Sequence, residues 1–454
     1  MVLSFLEIIN TNGHILYWQP DAKYRINSNK ILGMDLDWTI IKPVKGKIHP
    51  IDENDWDFLY DLTNIKHKIN DGYKFVIFTN QAGLLNISPY NALQTQKMGY
   101  EGFKTRWFNI YNKLQTKYNI NSVYLVVSLF DDFNRKPCTG MWDFMCSQLN
   151  DNIKISKEHS IYIGDMAGRQ SDYSSIDLLF ALNLEIEFQV PDTFLNNKIQ
   201  SITPHITANL TANLTANLTA KLTETIINNV YIHTNSKTNT KIFNGKKYIK
   251  DFDTNISRMN KNNTEQIIQL LNDKIKQYII LFIGSPAAGK TTYYKNNLQN
   301  THLLDTNISY FNFDTFNGTI DKLNKEIKKN LQNNKNIIID NTNGTRKIRK
   351  QYINMCRTIN PTIGIIFIKF NTNKEITLHL NALHTKFINT QVLKLNNTYD
   401  CTYNVPAIAI NSYWKHFEEP NKNTEDFDYL FTIEYEPQFI HQNCITQKMF
   451  EICL

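Results

Sequence analysis

The sequence predicts an α/β protein with two parallel-sheet domains joined by a linker. Three observations carry that prediction: strand-like apolar runs alternating with helical periodicity over residues 31–195, a second such alternation from residue 264, and a polar, repeat-bearing stretch between them. The expected organisation is a first domain over residues 1–200, a linker over 201–263 and a second domain over 264–454. A chain of 454 residues has room for about two to four domains, each able to bury its own core. Hydrophobic residues at 42% and charged residues at 20% describe an ordinary globular composition and exclude a disordered chain.

In the first domain, residues 1–30 read as a short lead-in. Strands are expected at 31–36, 75–79, 123–129 and 160–164, each rich in β-branched or aromatic residues. Trp56, Leu59, Tyr60, Ile65 and Ile69, and then Phe103, Trp107, Ile110 and Leu114, recur at near-helical spacing and read as core. Ligands of such parallel sheets bind at the carboxyl ends of the strands. The linker contains a four-residue repeat over 206–222, and the lysines 246, 247 and 250 follow in a polar connector. In the second domain a helix is expected around Ile267, Ile268, Leu270, Leu271 and Ile275, then strands at 278–283, 310–313, 336–339 and 363–370.

The second domain carries the most specific motif. The apolar run Tyr278–Ile283 leads into Gly284, Ser285, Pro286, Ala287, Ala288, Gly289, Lys290, Thr291 and Thr292, which is strand, glycine-rich turn and helix start in the order a P-loop requires. Backbone N–H groups there converge on nucleotide phosphates, Lys290 reaches the outer ones, and the Thr291 hydroxyl is placed to ligate Mg²⁺. ATP and Mg²⁺ are the expected cofactors.

The first domain places chemistry at successive strand ends. Asp35 and Asp37 leave the first strand together, as a nucleophile and a general acid/base acting on a phosphate ester require. Thr79, Asn80 and Gln81 end the second strand and offer a hydroxyl and amide donors. Lys136 follows the third strand and can neutralise a phosphoryl group; Asp165, after the fourth, is suited to hold Mg²⁺ with Asp35. Each alone reads more readily as a solvated turn or a surface charge. Together they resemble the haloacid dehalogenase-type phosphatases, a Rossmann-like fold.

The wording Phe78-Thr79-Asn80-Gln81, Arg135-Lys136-Pro137-Cys138-Thr139-Gly140-Met141-Trp142, Tyr162-Ile163-Gly164-Asp165-Met166-Ala167-Gly168-Arg169 and Leu179-Phe180-Ala181-Leu182-Asn183 is similar to the phosphatase half of the polynucleotide kinase 3′-phosphatases, in which a P-loop NTPase-type kinase follows. The resemblance implies Asp35 as nucleophile, Asp37 as general acid/base, Thr79 and Lys136 as phosphate ligands, and Asp35, Asp37 and Asp165 around the metal, with Asp172 and Asp177 left open. It implies Asp314 as the kinase base, and leaves Asp340 to act near Mg²⁺ or to position the acceptor. The implied substrates are DNA ends carrying 3′-phosphate or 5′-hydroxyl, with RNA ends not separated from them. Arg346, Lys347, Arg349 and Lys350 are candidates for phosphate-backbone contact or a solvated helix face.

This chain departs from that family at three places. Trp38 stands where glycine is common, and an indole there would narrow the mouth or stack on a base. Phe313 replaces an arginine beside Asp314. The lid, resembling His379 to Lys386, lacks arginines around Ala382 to Thr385, leaving His384, Lys386 or Lys415 as substitutes. A P-loop domain that binds ATP or nucleic acid with little catalysis is therefore the alternative to a working kinase.

The net charge of +7 suits a polyanionic partner and equally a solvated basic surface. Six scattered cysteines without a C-x-x-C pair suggest neither zinc nor a disulfide framework. With no apolar span long enough for a membrane and no basic leader, the expectation is an intracellular protein, nuclear or cytoplasmic, not secreted or membrane-bound, and a monomer by default.

Overall fold

The structure is a computed structural model that describes residues 5–10, 13–45, 48–81, 84, 99–169, 171–196, 231–233, 239–241, 243, 245–273, 275–299, 307–316, 319–395, 405–437 and 447–454. The repeat at 206–222 lies outside them. The chain divides into two compact units: residues 1–246 with 383–403 and 444–454, and residues 247–382 with 404–443. No described helix is long and apolar enough to cross a membrane.

The first unit is built on seven strands: β1 (Leu6–Asn10), β2 (Gly13–Trp18), β3 (Ile31–Met34), β4 (Lys74–Asn80), β5 (Val123–Ser128), β6 (Ile161–Ile163) and β7 (Glu187–Gln189), in the order β1-β2-β5-β4-β3-β6-β7. The strands from β5 to β7 run parallel, as the sequence predicts. The amino-terminal residues are more than a lead-in. β1 and β2 form a hairpin whose second strand pairs antiparallel with β5.

Among the described helices that cover this sheet are α1 (Thr63–Asn70), α2 (Gly99–Tyr118), α3 (Gly140–Gln148) and α4 (Ile176–Leu184). Phe103, Trp107, Ile110 and Leu114 on α2 are fully buried in one cluster with Trp18 of the hairpin, and the Trp18 ring lies 5.4 Å from that of Trp107. Met141, Trp142 and Phe144 of α3 and Phe180 of α4 pack with Phe78 and Tyr162 on a second cluster. Each large apolar side chain so buried contributes roughly 1.5–3 kcal/mol. Sandwiching fixes the strands, and hence the residues just past their ends.

The last residues of the chain also belong to this unit. Asn183 donates through Nδ2 to the Cys453 carbonyl at 3.0 Å and accepts the Cys453 amide at 2.9 Å, while the same Nδ2 donates to Pro137 O at 2.9 Å. Phe450 is fully buried, with the Phe243 ring 5.4 Å away. Cys138, Cys356 and Cys453 are free thiols.

The second unit has a parallel five-stranded sheet of β8 (Tyr278–Ile283), β9 (Ile308–Asn312), β10 (Asn336–Asp340), β11 (Gly364–Asn371) and β12 (Tyr429–Glu434), ordered β9-β10-β8-β11-β12. The P-loop strand β8 is central and wholly buried. Helix α5 spans Asn255–Leu271, starting inside the stretch read as linker and ending before Ile275, which is 97% exposed. Asparagines explain its position. Asn260 exchanges hydrogen bonds with the Glu434 backbone at 2.9 and 3.0 Å, and Asn263 donates to Thr432 O at 2.9 Å, so side-chain amides dock a helix whose composition argues against one. Further helices are α6 (Ile320–Gln332), α7 (Arg346–Ile359), α8 (Lys374–Leu395), whose residues from 383 on group with the first unit, and α9 (Ala407–His416).

Candidate active sites

In the first unit the strand ends converge. β3 delivers Asp35, β4 delivers Thr79, β6 leads to Asp165, and the segment between β5 and α3 carries Lys136. Lys136 Nζ is buried and donates to Asp35 Oδ1 at 2.5 Å, Asp177 Oδ1 at 2.7 Å and Tyr162 Oη at 2.8 Å. Carboxylate oxygens of Asp35, Asp165 and Asp177 lie within 4.8 Å of one another. Asp177, left open by the sequence, thus joins the group, whereas Asp172 turns away to Arg169 and the amides of Ala167 and Arg169.

Two of these three carboxylates, Asp35 and Asp177, share one ammonium here. Burial pushes Asp35 well above the usual carboxylate range against the pull of Lys136, and burial with the Asp177 charge pushes Asp165 up to about 7. Burial works to lower Lys136, but Asp177 and Asp35 overcome it and hold the ammonium charged. An all-oxygen donor set with excess negative charge fits a hard divalent cation.

Asp37 is a different case. Sequence reading placed it at the metal as well, but it lies outside the three-carboxylate group because both its oxygens are engaged: Gln81 Nε2 donates to Oδ2 at 2.6 Å and Arg106 Nη1 to Oδ1 at 3.2 Å. Gln81 Nε2 also donates to Thr79 Oγ1 at 2.9 Å, and Asn80 clasps the Lys136 backbone, donating to its carbonyl at 3.1 Å and accepting its amide at 3.0 Å. Those two amides therefore position catalytic candidates. Arg106, on α2 and almost completely buried, was not found from the sequence; a cation among the apolar residues of a helical core face is the signal that marks it.

Trp38 follows Asp37 with φ +62°, in the left-handed region. Its amide donates to Ile41 O at 2.7 Å and its indole Nε1 to Ile48 O at 2.9 Å. The side chain stays half-exposed.

In the second unit the loop after β8 turns through positive φ at Ala287 (+61°) and Gly289 (+88°). Lys290 Nζ donates to Gly284 O at 3.1 Å and Ser285 O at 2.7 Å, and burial lowers its pKa while Asp340 and Asp314 oppose the shift. Ser285 Oγ is buried without a partner, an orphaned group that a phosphate would satisfy. Thr291 Oγ1 donates to Asp340 Oδ2 at 2.6 Å, where Tyr310 Oη and Asn312 Nδ2 also donate. Asn312 Oδ1 accepts the amides of Asp314 and Thr315 at 2.9 and 3.0 Å, fixing the turn that presents Asp314, itself exposed, at the strand end.

The basic run after β10 separates by helix face. Arg349 is fully buried and donates to Glu425 through Nε and Nη2 at 2.7 Å each and to Asn343 O at 3.1 Å, which removes it from contact with a phosphate backbone; Lys347 and Lys350 are exposed. Lys386 is buried and donates to Asp131 at 2.6 Å, so among the lid substitutes it is already engaged.

A buried lysine–carboxylate cluster at one parallel-sheet edge and a P-loop at another define a protein with two phosphoryl-handling sites. The family described as polynucleotide kinase 3 phosphatase matches residues 30–195, and the one described as chromatin associated protein KTI12 matches residues 277–452. The bifunctional polynucleotide phosphatase/kinase of Schizosaccharomyces pombe is 24% identical over 416 residues, covering 90% of this chain and 82% of that protein. An uncharacterized 20.8 kDa protein of Autographa californica nuclear polyhedrosis virus is 33% identical over 190 residues, 39% of this chain and 94% of its own. The polynucleotide 3′-phosphatase of Saccharomyces cerevisiae is 28% identical over 204 residues, 36% of this chain and 85% of its own. The chain thus combines a polynucleotide kinase 3 phosphatase region with a KTI12-like P-loop region, and over most of its length it is similar to bifunctional polynucleotide phosphatase/kinases.

Proposed function

We propose that the protein heals nucleic-acid ends, removing a 3′-phosphate in its first unit and adding a 5′-phosphate from ATP in its second. The observation that carries the reading is the buried Asp35–Lys136–Asp177 cluster with Asp37 held beside it. An Asp35 oxygen attacks phosphorus, the P–O bond to the 3′ oxygen breaks, and Asp37 delivers the proton that oxygen needs. Asp37 then takes a proton from water, which attacks the aspartyl-phosphate and returns Asp35 and inorganic phosphate. Lys136 offsets the phosphoryl charge throughout, and Thr79 hydrogen-bonds the phosphate. Asp35, Asp165 and Asp177 would hold Mg²⁺, which would supply further charge neutralisation when bound.

In the second unit the P-loop amides and Lys290 hold the ATP phosphates, and Asp314 takes the proton of the attacking 5′-hydroxyl. Thr291 and Asp340 would hold Mg²⁺ there. A second reading, in which this unit binds ATP or nucleic acid with little catalysis, is favoured by the lid segment Ala382–Thr385 carrying no arginine while Lys386 is engaged by Asp131. We place the protein inside the cell, acting as a monomer.

A nicked duplex with 3′-phosphate and 5′-hydroxyl, incubated with Mg²⁺ and labelled ATP, separates these readings. The expected result is phosphate loss abolished by Asp35→Asn alone and label transfer abolished by Lys290→Ala alone. Phosphate loss without label at high enzyme would select the second reading, and no phosphate loss would reject the first unit's assignment.

A further inference from the structure

We infer that Trp38 is a stacking platform for the base of the 3′-terminal nucleotide, so that the first unit selects phosphorylated ends bearing an intact base. The inference rests on the 3′-phosphatase reading and adds a substrate subsite to it. Trp38 sits between two residues directed into the site: Asp37, held by Gln81 and Arg106, and Thr39, whose hydroxyl donates to Asp165 at 3.4 Å. Successive Cα atoms are about 3.8 Å apart, which places the Trp38 backbone one residue from each of two residues directed into the site.

Its backbone is the second observation. A φ of +62° is comfortable for glycine and strained for a residue with a bulky side chain, so the indole is kept at a cost that a smaller residue would avoid. That cost is not offset by full burial, because Trp38 remains 37% exposed.

Anchoring is the third. The indole Nε1 is committed to Ile48 O at 2.9 Å and the Trp38 amide to Ile41 O at 2.7 Å, so the ring is fixed at both ends before substrate arrives. With its one donor occupied, what the side chain offers solvent is its aromatic carbon surface. Such a surface takes any base by stacking, without reading sequence.

The test measures phosphate release by the full chain, with Mg²⁺, from two single-stranded oligonucleotides that differ only in whether the 3′-phosphorylated terminal nucleotide carries its base or is a stable abasic analogue. The readout is the ratio of the two kcat/KM values, to which misfolded enzyme makes no difference because it lowers both alike. The wild type should prefer the intact end by roughly tenfold, through KM, in line with the strength of base–aromatic stacking. Trp38→Gly and Trp38→Leu should lose the preference, and Trp38→Phe should keep most of it. A preference retained in Trp38→Leu would make the residue a steric rim and overturn the inference, as would a wild type indifferent to the base. Release from neither end by the wild type would reject the phosphatase reading and this inference with it, whereas release without base preference rejects the inference alone.

Discussion

The two sites hold a lysine in opposite ways. Lys136 rests on side-chain carboxylates gathered from a strand end and a helix start far apart in the chain, whereas Lys290 rests on the carbonyls of its own loop, at Gly284 and Ser285. The first site is thus assembled by long-range folding and balanced by charge; the second is shaped locally by backbone. A substitution in the first should disturb neighbouring groups, while one in the second should subtract a single function.

The sharpest break in that comparison is Lys136→Ala. It leaves the buried carboxylates without their cation, and phosphate release should fall by at least about three orders of magnitude. Transfer from ATP should stay near wild type; loss of both activities would mean the sites are not independent. Next in size is Arg349→Met, which strands Glu425 in the core of the second unit. Removing one partner of a buried pair costs about 3–5 kcal/mol, so denaturant unfolding should show a transition at markedly lower concentration while phosphate release persists. An unchanged transition would place that pair outside the stabilising core.

Arg106→Gln should act more mildly. It removes the charge that holds Asp37 and should lower kcat for phosphate release by about ten- to a hundredfold with little change in KM, partly restored in Arg106→Lys. An effect confined to KM would reassign Arg106 to substrate binding.

The smallest effect is one of pH. Burial pushes Asp132 up to about 7, against the His14 and Asn134 amides that favour its ionised form. The unfolded carboxyl ionises near ~4, so the folded state holds this proton more tightly; the resulting stabilisation is full below about pH 4 and is lost as pH rises through about 7. Asp132→Asn should therefore gain Tm relative to wild type between about pH 5 and about pH 8. A difference that does not move with pH would show that Asp132 does not titrate there.

The same contrast explains what the sequence made legible. The P-loop is contiguous, and β8 spans Tyr278–Ile283 as the apolar run marks it. Asp35, Thr79, Lys136 and Asp165 were findable because parallel strands present their carboxyl ends at one edge, so strand position alone predicts convergence. Asp177 stayed open and Arg106 was missed, since both lie on helices and turn inward through packing that periodicity does not encode. The amino-terminal hairpin escaped notice because a strand pair too short to be a domain looks like a leader until it pairs with β5. Helix α5 was misplaced because its docking uses asparagines, a residue type so common in this chain that no single one stood out. Arg349 looked like a surface charge because linear spacing alone does not reveal a partner 76 residues away.

The clasp of Asn183 on Cys453 has a consequence for how this protein fails. A chain interrupted before residue 447 would carry every side chain named in both sites, yet it would lack the peptide that Asn183 grips while bracing Pro137, next to Lys136. Removing residues 447–454 should therefore act at a distance, loosening the 3′-phosphate site first, and adding the removed peptide in trans should restore it.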